Sequence, residues 1–202
     1  LQSQGEPVEG ANVPDASGNP APVSGLPAFC RIIGSAQPEA GSDVRFEVWL
    51  PRDAWTGRFT GGSNGGFAGY ISYADLAAAV TAGHAGASTD TSHVGSTDTD
   101  SAWAIGHPEL VRDYGWRAIH VTTVIAKQLM AAYYGRGPDH SYFMGCSNGG
   151  RQGLMEAWRY PEDYDGIIAG APAARFTALA STFVSTVQAQ LAPGAALNAA
   201  AM

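Results

Sequence analysis

The 202 residues carry a formal net charge of −7, only 14% are charged and 45% are hydrophobic. That is enough apolar material for one domain with its own core. It is also too little positive charge for a phosphate backbone: Lys127 is the sole lysine and the arginines are scattered, so no nucleic acid is expected as a partner. No apolar run reaches the roughly 18–20 residues of a bilayer span, so no membrane partner is expected either. The chain opens at Leu1 without the charged and apolar regions of a signal peptide and reads as a mature form or a fragment.

Residues 1–24 are rich in Gly, Pro, Ser and Asn and read as an irregular leader ahead of a domain over 25–202. From Ser42 to Pro51 the alternation of Val44, Phe46, Val48 and Leu50 with Arg45, Glu47 and Trp49 predicts a half-exposed strand. Arg58–Thr60 continues as a short strand into a glycine-rich loop, Gly61–Gly66, where backbone can approach a ligand closely. Ala74–Ala82 predicts a helix ended by Gly83, and Ala85–Thr91 a short strand. Ser92–Asp100 reads as a solvated polar loop with turn-forming Asp side chains.

Trp116–Tyr134 carries the clearest helical stripe: Ala118, Val121, Ile125, Leu129 and Ala132 recur at spacings of three and four, and Gly135 ends it. Ser141–Gly145 predicts a buried strand, Gly150–Arg159 a helix and Gly166–Ala169 another strand; the tail from Phe176 is helix-prone. This alternation predicts an α/β layered fold with a mostly parallel sheet flanked by helices.

The segment Gly145-Cys146-Ser147-Asn148-Gly149-Gly150 fits the pattern G-x-S-x-G between a strand and a helix. In that context the serine occupies a tight, strained turn at the sheet's C-terminal edge. Ser147 is the candidate nucleophile, and the Asn148 amide a candidate donor to an oxyanion. A second donor is expected from the loop after an earlier strand, which points to Gly65 or Gly66. A serine nucleophile needs a base and an orienting acid. The five histidines, His84, His93, His107, His120 and His140, all precede Ser147, and none follows it. Three explanations stand: a sequence cut before the base, a base on a separate chain, or an upstream histidine in an unusual order. His93 with Asp90, Asp98 and Asp100 forms no recognised metal motif, and no metal ligands are assigned.

The stretch from Ser141 to Ala173, SYFMGCSNGGRQGLMEAWRYPEDYDGIIAGAPA, resembles the nucleophile region of the tannase/feruloyl esterase family, which also includes mono(hydroxyethyl) terephthalate hydrolase. Leu26-Pro-Ala-Phe-Cys-Arg31, Phe46-Glu-Val-Trp-Leu-Pro51, Asp90-Thr-Ser-His93 and Asp113-Tyr-Gly-Trp-Arg-Ala118 fit the same resemblance. It implies an α/β-hydrolase fold, here apparently truncated before a lid and the last strands, in secreted or periplasmic esterases of aromatic acids such as gallates and ferulates. It implies no cofactor in this stretch, but a structural Ca2+ in the absent lid. A second chain supplying lid, Asp and His is a possible partner. The family pattern pairs the cysteine before the nucleophile with one beside the catalytic histidine. It pairs the cysteine matching Cys30 with one further upstream. Cys146 and Cys30 are therefore expected to lack partners here and not to bond each other. Arg151 and Gln152 are expected to tie the turn to neighbouring loops, and Asp163 and Asp165 to be structural. Two other readings stand beside the esterase: a hydrolase-fold binding module without catalysis, and a serine hydrolase of another specificity.

Overall fold

The computed structural model describes residues 25–95 and 99–191, together with the backbones of three short strands in the first 24. Those strands are β1 (Gln2–Gln4), β2 (Asn12–Pro14) and β3 (Pro20–Pro22). They correct the expectation of a wholly irregular leader: β1 joins the main sheet against Phe29–Ala36, and β2 pairs with β3. The other residues of 1–24 lie outside the described residues.

Residues 1–172 form one compact unit. Its seven-stranded sheet runs in the order β1-β4-β5-β7-β6-β8-β9. The remaining members are β4 (Phe29–Ala36), β5 (Val44–Pro51), β6 (Arg58–Gly61), β7 (Ala85–Thr89), β8 (His140–Cys146) and β9 (Gly166–Gly170). From β1 to β7 neighbours pair antiparallel; β7-β6, β6-β8 and β8-β9 are parallel. The parallel part carries the G-x-S-x-G turn. Strand β4 was not read from the sequence.

Helices cover both faces. On one lie α3 (Ala118–Tyr134), preceded in the chain by α2 (Pro108–Arg112), and α4 (Asn148–Arg159); α1 (Tyr73–Thr81) lies on the other. The larger core joins Phe46, Val48, Leu50, Phe59 and Phe143 of the sheet to Ile119, Ala126 and Met130 of α3. The smaller joins Phe29 and Trp49 to Leu76, Ala77 and Val80 of α1. Strand β5 is thus buried on both faces, with only Arg45 exposed, which corrects the half-exposed reading. The charge on its second face is matched internally. Glu47 accepts from Arg31 at 2.6 and 2.8 Å, from Trp49 Nε1 at 2.9 Å and from the Tyr73 hydroxyl at 2.8 Å. Burial beside that carboxylate pushes the Tyr73 phenol up to about 12.

Ser72 caps α1 by accepting from the Asp75 amide, and Gly83 follows the helix with positive φ, as the sequence predicts. Gly135 ends α3 in the left-handed conformation. The helical run starts earlier than the expected Trp116: α2 leads into α3 through a π-helical turn, Asp113–Arg117. Residues 173–202 form a second unit, whose helix α5 (Phe176–Leu191) agrees with the helix-prone tail; residues 192–202 lie outside the described residues.

Candidate active site

Strand β8 delivers the chain to Ser147, and α4 starts at the next residue. Ser147 sits at φ 59°, ψ −118°, backbone that an L residue enters only under strain. What holds it there is close packing. A Cβ on Gly145 would strike the Gly149 carbonyl oxygen, and one on Gly149 would strike Ser63 Oγ. The Ser147 amide donates to the Gly170 carbonyl at 3.0 Å, which fastens the turn to the end of β9. The turn therefore has the strand–serine–helix form that the motif requires.

Asn148 is the first residue of α4, so its amide is among the helix-start amides without an intrahelical acceptor. Its buried side chain faces inward: Nδ2 donates to the Asn64 carbonyl at 3.2 Å, and Oδ1 accepts from Arg151 Nε at 2.8 Å and the Tyr114 hydroxyl at 2.9 Å. The glycine loop after β6 lies against this helix start. The Asn64 amide donates to Gln152 Oε1 at 3.1 Å, and Gln152 Nε2 donates back to Asn64 Oδ1 at 3.0 Å. Asn64 Nδ2 donates onward to the carbonyls of Tyr70 and Thr89 at 2.6 and 2.9 Å. Gly65 gives its amide to the Tyr70 hydroxyl at 3.1 Å, whereas Gly66, with φ 49°, offers its carbonyl to the Tyr114 hydroxyl at 2.6 Å.

Tyr114 lies in the π-helical turn and touches both halves of this arrangement. The Arg151 guanidinium stacks 4.6 Å from its ring and donates to the carbonyls of Tyr114 and Gly115. Burial away from carboxylates pushes Arg151 below its ordinary range. Arg151 and Gln152 thus tie the turn to its neighbouring loops, as expected from the sequence. Asn64 and Tyr114 were not singled out. An asparagine among glycines suggests a turn, and a tyrosine ahead of a helical stripe suggests a surface.

The histidines lie elsewhere. His84 Nδ1 contacts Thr60 Oγ1 at 2.9 Å, His107 pairs with Glu109 at 3.0 Å and His120 Nδ1 contacts Asp163 Oδ2 at 2.6 Å. His140 starts β8, at the end of the strand remote from Ser147. His93 is buried, donates from Nε2 to the Phe67 carbonyl at 2.7 Å and stacks on Trp103 at 3.9 Å; burial lowers its pKa. Among the described residues none of the five hydrogen-bonds to Ser147.

The polar loop needs correction too. Its first two residues, Ser92 and His93, are buried, and so is Asp90 before it, whose Oδ1 accepts from the amides of Arg45 and Ser92. Burial pushes this carboxyl up to about 7. Val94, Thr99 and Asp100 are exposed; residues 96–98, Asp98 among them, lie outside the described residues. Asp165 is structural, exchanging bonds with the Ser141 backbone at 2.7 and 2.8 Å. Cys30 and Cys146 are both free thiols; burial raises the Cys30 pKa, while Cys146 is exposed beside Ser147.

An apolar cavity of about 450 Å3 opens on the α1 face between Ala78, Ala79, His84, Tyr142, Met144 and Ile168. Ser147 does not line it.

Comparison with known proteins agrees with this geometry. Residues 30–202 match the family described as tannase and feruloyl esterase. The crystal structure of feruloyl esterase B from Aspergillus oryzae superposes with a TM-score of 0.82 at 35% identity, covering 94% of this chain and 37% of that one. Tannin acyl hydrolase from Aspergillus niger gives a TM-score of 0.67 at 26% identity, covering 87% and 33%. Among curated sequences, a probable feruloyl esterase B-2 of Aspergillus flavus is 43% identical over 153 residues, 76% of this chain and 29% of its own. An uncharacterised esterase of Xanthomonas campestris pv. campestris is 40% identical over 179 residues, 88% of this chain and 31% of its own. The chain therefore spans about 30% of the length of these curated relatives. Its sheet flanked by helices, with the serine on the turn between β8 and α4, is the α/β-hydrolase fold, and the chain belongs to the tannase and feruloyl esterase family.

Proposed function

We propose that this chain is the nucleophile-bearing part of a serine esterase that cleaves esters of aromatic acids, of the gallic or hydroxycinnamic kind. The observation that carries the reading is Ser147, held at φ 59° between β8 and α4 beside an uncommitted helix-start amide. Its Oγ attacks the ester carbonyl, the alcohol leaves, and water releases the acid from the acyl-serine. The oxyanion is received by the Asn148 amide and by the amide of Gly66, since Gly65 already gives its own to Tyr70. The helix dipole of α4 favours the same negative charge.

The base and its carboxylate come, in this reading, from residues beyond these 202, on the same polypeptide or a partner chain. Supporting this, no histidine follows Ser147 and the five upstream ones are engaged or placed elsewhere. The same outlying part would carry the lid, its Ca2+ and the cysteine for Cys146, in a secreted or periplasmic protein. The aromatic-ester preference rests on the relatives named feruloyl esterase and tannin acyl hydrolase.

The deciding experiment assays the complete polypeptide or complex on methyl ferulate and methyl gallate, with fluorophosphonate labelling mapped by mass spectrometry. Hydrolysis together with label on Ser147, both lost in Ser147→Ala, supports the reading. Hydrolysis that survives Ser147→Ala assigns the chemistry elsewhere. Absence of both activity and label makes the chain a non-catalytic member of the fold.

A further inference from the structure

A second cluster of reactive side chains lies away from Ser147, between α3, α4 and the turn after α4. His120 comes from α3, Glu156 from the last turns of α4 and Asp163 from the segment leading to β9. One ligand atom from each lies within 4.8 Å of the other two. Glu156 is nine residues beyond Ser147, about 13 Å along the helix at 1.5 Å per residue, so the cluster is not part of the ester chemistry.

Glu156 makes the cluster unusual. It is 0% exposed, neither carboxyl oxygen receives a hydrogen bond from a donor group among the described residues, and the group beside it is the carboxyl of Asp163, a second acid. Two buried carboxyls side by side cannot both ionise without a compensating positive charge. Lys127 does not supply one: its ammonium is directed to the carbonyl oxygens of Asp163 at 2.5 Å and Glu162 at 3.5 Å, not to a carboxylate. The other two members are already oriented. The His120 ring stacks on Tyr160 at 3.7 Å and 6°, which points Nδ1 at Asp163 Oδ2, 2.6 Å away.

We infer that His120, Glu156 and Asp163 bind one divalent transition-metal cation of the Zn2+ class, as a structural clamp between α3 and the C-terminal end of α4. One imidazole nitrogen with two carboxylates is a donor set suited to Zn2+ or Co2+ rather than to Ca2+, which takes six to eight oxygens. With donor distances of about 2.0–2.2 Å around a tetrahedral cation, the ion would part His120 Nδ1 from Asp163 Oδ2, now 2.6 Å apart, to roughly 3.3 Å. The cation would give Glu156 its missing partner and leave a coordination position for water on the partly exposed side of His120. The inference does not depend on the ester-hydrolase reading.

The test titrates the metal-stripped chain with Zn2+ by calorimetry and with Co2+ by visible absorption. The expected result is one saturable site per chain, a Co2+ d–d band and a rise in the thermal midpoint with Zn2+. Glu156→Gln and His120→Ala should each weaken binding by at least about tenfold, while His140→Ala binds as wild type. Should those variants fail to fold, diethylpyrocarbonate modification of wild type decides, because Zn2+ should protect His120 and leave His107 reactive. Non-saturable binding, titrations indifferent to Glu156 and His120, or unprotected His120 would each overturn the proposal. Glu156 would then be a core acid, kept neutral by burial and by its neighbour Asp163.

Discussion

Asn64 and Gln152, 88 residues apart in sequence, are joined by two hydrogen bonds that use both polar ends of the glutamine side chain. One end accepts from a loop amide and the other donates to the asparagine side chain, so the glycine loop and helix α4 are fixed in mutual register. Gln152→Ala would orphan a buried amide and a buried carbonyl together. We expect a loss of about 2–4 kcal/mol, read as a lower urea midpoint at unchanged slope.

The strain at Ser147 has a measurable counterpart. Glycine adopts φ 59°, ψ −118° without the Cβ penalty, whereas alanine retains it. Ser147→Gly should therefore exceed Ser147→Ala in stability by about 1 kcal/mol. Equal unfolding midpoints for the two variants would show that the turn is relaxed.

Tyr114 directs its single hydroxyl proton between two acceptors, the Gly66 carbonyl at 2.6 Å and Asn148 Oδ1 at 2.9 Å. Tyr114→Phe should cost about 1 kcal/mol of stability. On the proposed reading, it should lower kcat of the complete polypeptide several-fold while leaving KM nearly unchanged, since the hydroxyl would position the proposed oxyanion donors and not the ground-state substrate. An effect confined to KM would place Tyr114 in substrate binding instead.

Asp90 makes stability depend on pH. Its carboxyl ionises near 3.9 in an unfolded chain, against about 7 when buried in the folded one. Between those values the folded state keeps a proton that the unfolded state has released. Its contribution is thus present in full below about pH 4 and is lost as pH rises through about 7. Asp90→Asn keeps an acceptor for the amides of Arg45 and Ser92. It should flatten that slope between pH 4 and 7 and leave the variant more stable than wild type at pH 8, as read from urea unfolding at each pH.

Local pattern revealed much of this architecture. The stripe of α3, the glycine at its end and the strand–serine–helix turn are written in contiguous residues, and each formed where the spacing places it. Interactions between distant segments were less readable. Trp49 and Glu47 alternate like exposed residues, yet α1 covers them, and Arg31 and Tyr73 arrive from other elements to satisfy the charge. Ser92 and His93 sit in a polar run that a solvated loop would share; what buries them is the stacking of Trp103 and the carbonyl of Phe67. Strand β4, interrupted by Gly34 and carrying Arg31, shows little alternation and is defined by its partner β5.

The π-helical turn at Asp113–Arg117 amounts to one extra residue threaded into an otherwise α-helical run. Each α-helical residue advances the side-chain direction by about 100°. Removing a single residue there would let the helix close up as a regular α-helix. Every side chain before the deletion, α2 included, would turn by that angle relative to α3. Tyr114 would swing off Gly66 and Asn148, and the carbonyls that Arg151 grips would turn with it. Length in this segment is therefore under tighter constraint than residue identity: a conservative substitution keeps the geometry, whereas a one-residue deletion dismantles the bridge between Gly66 and Asn148.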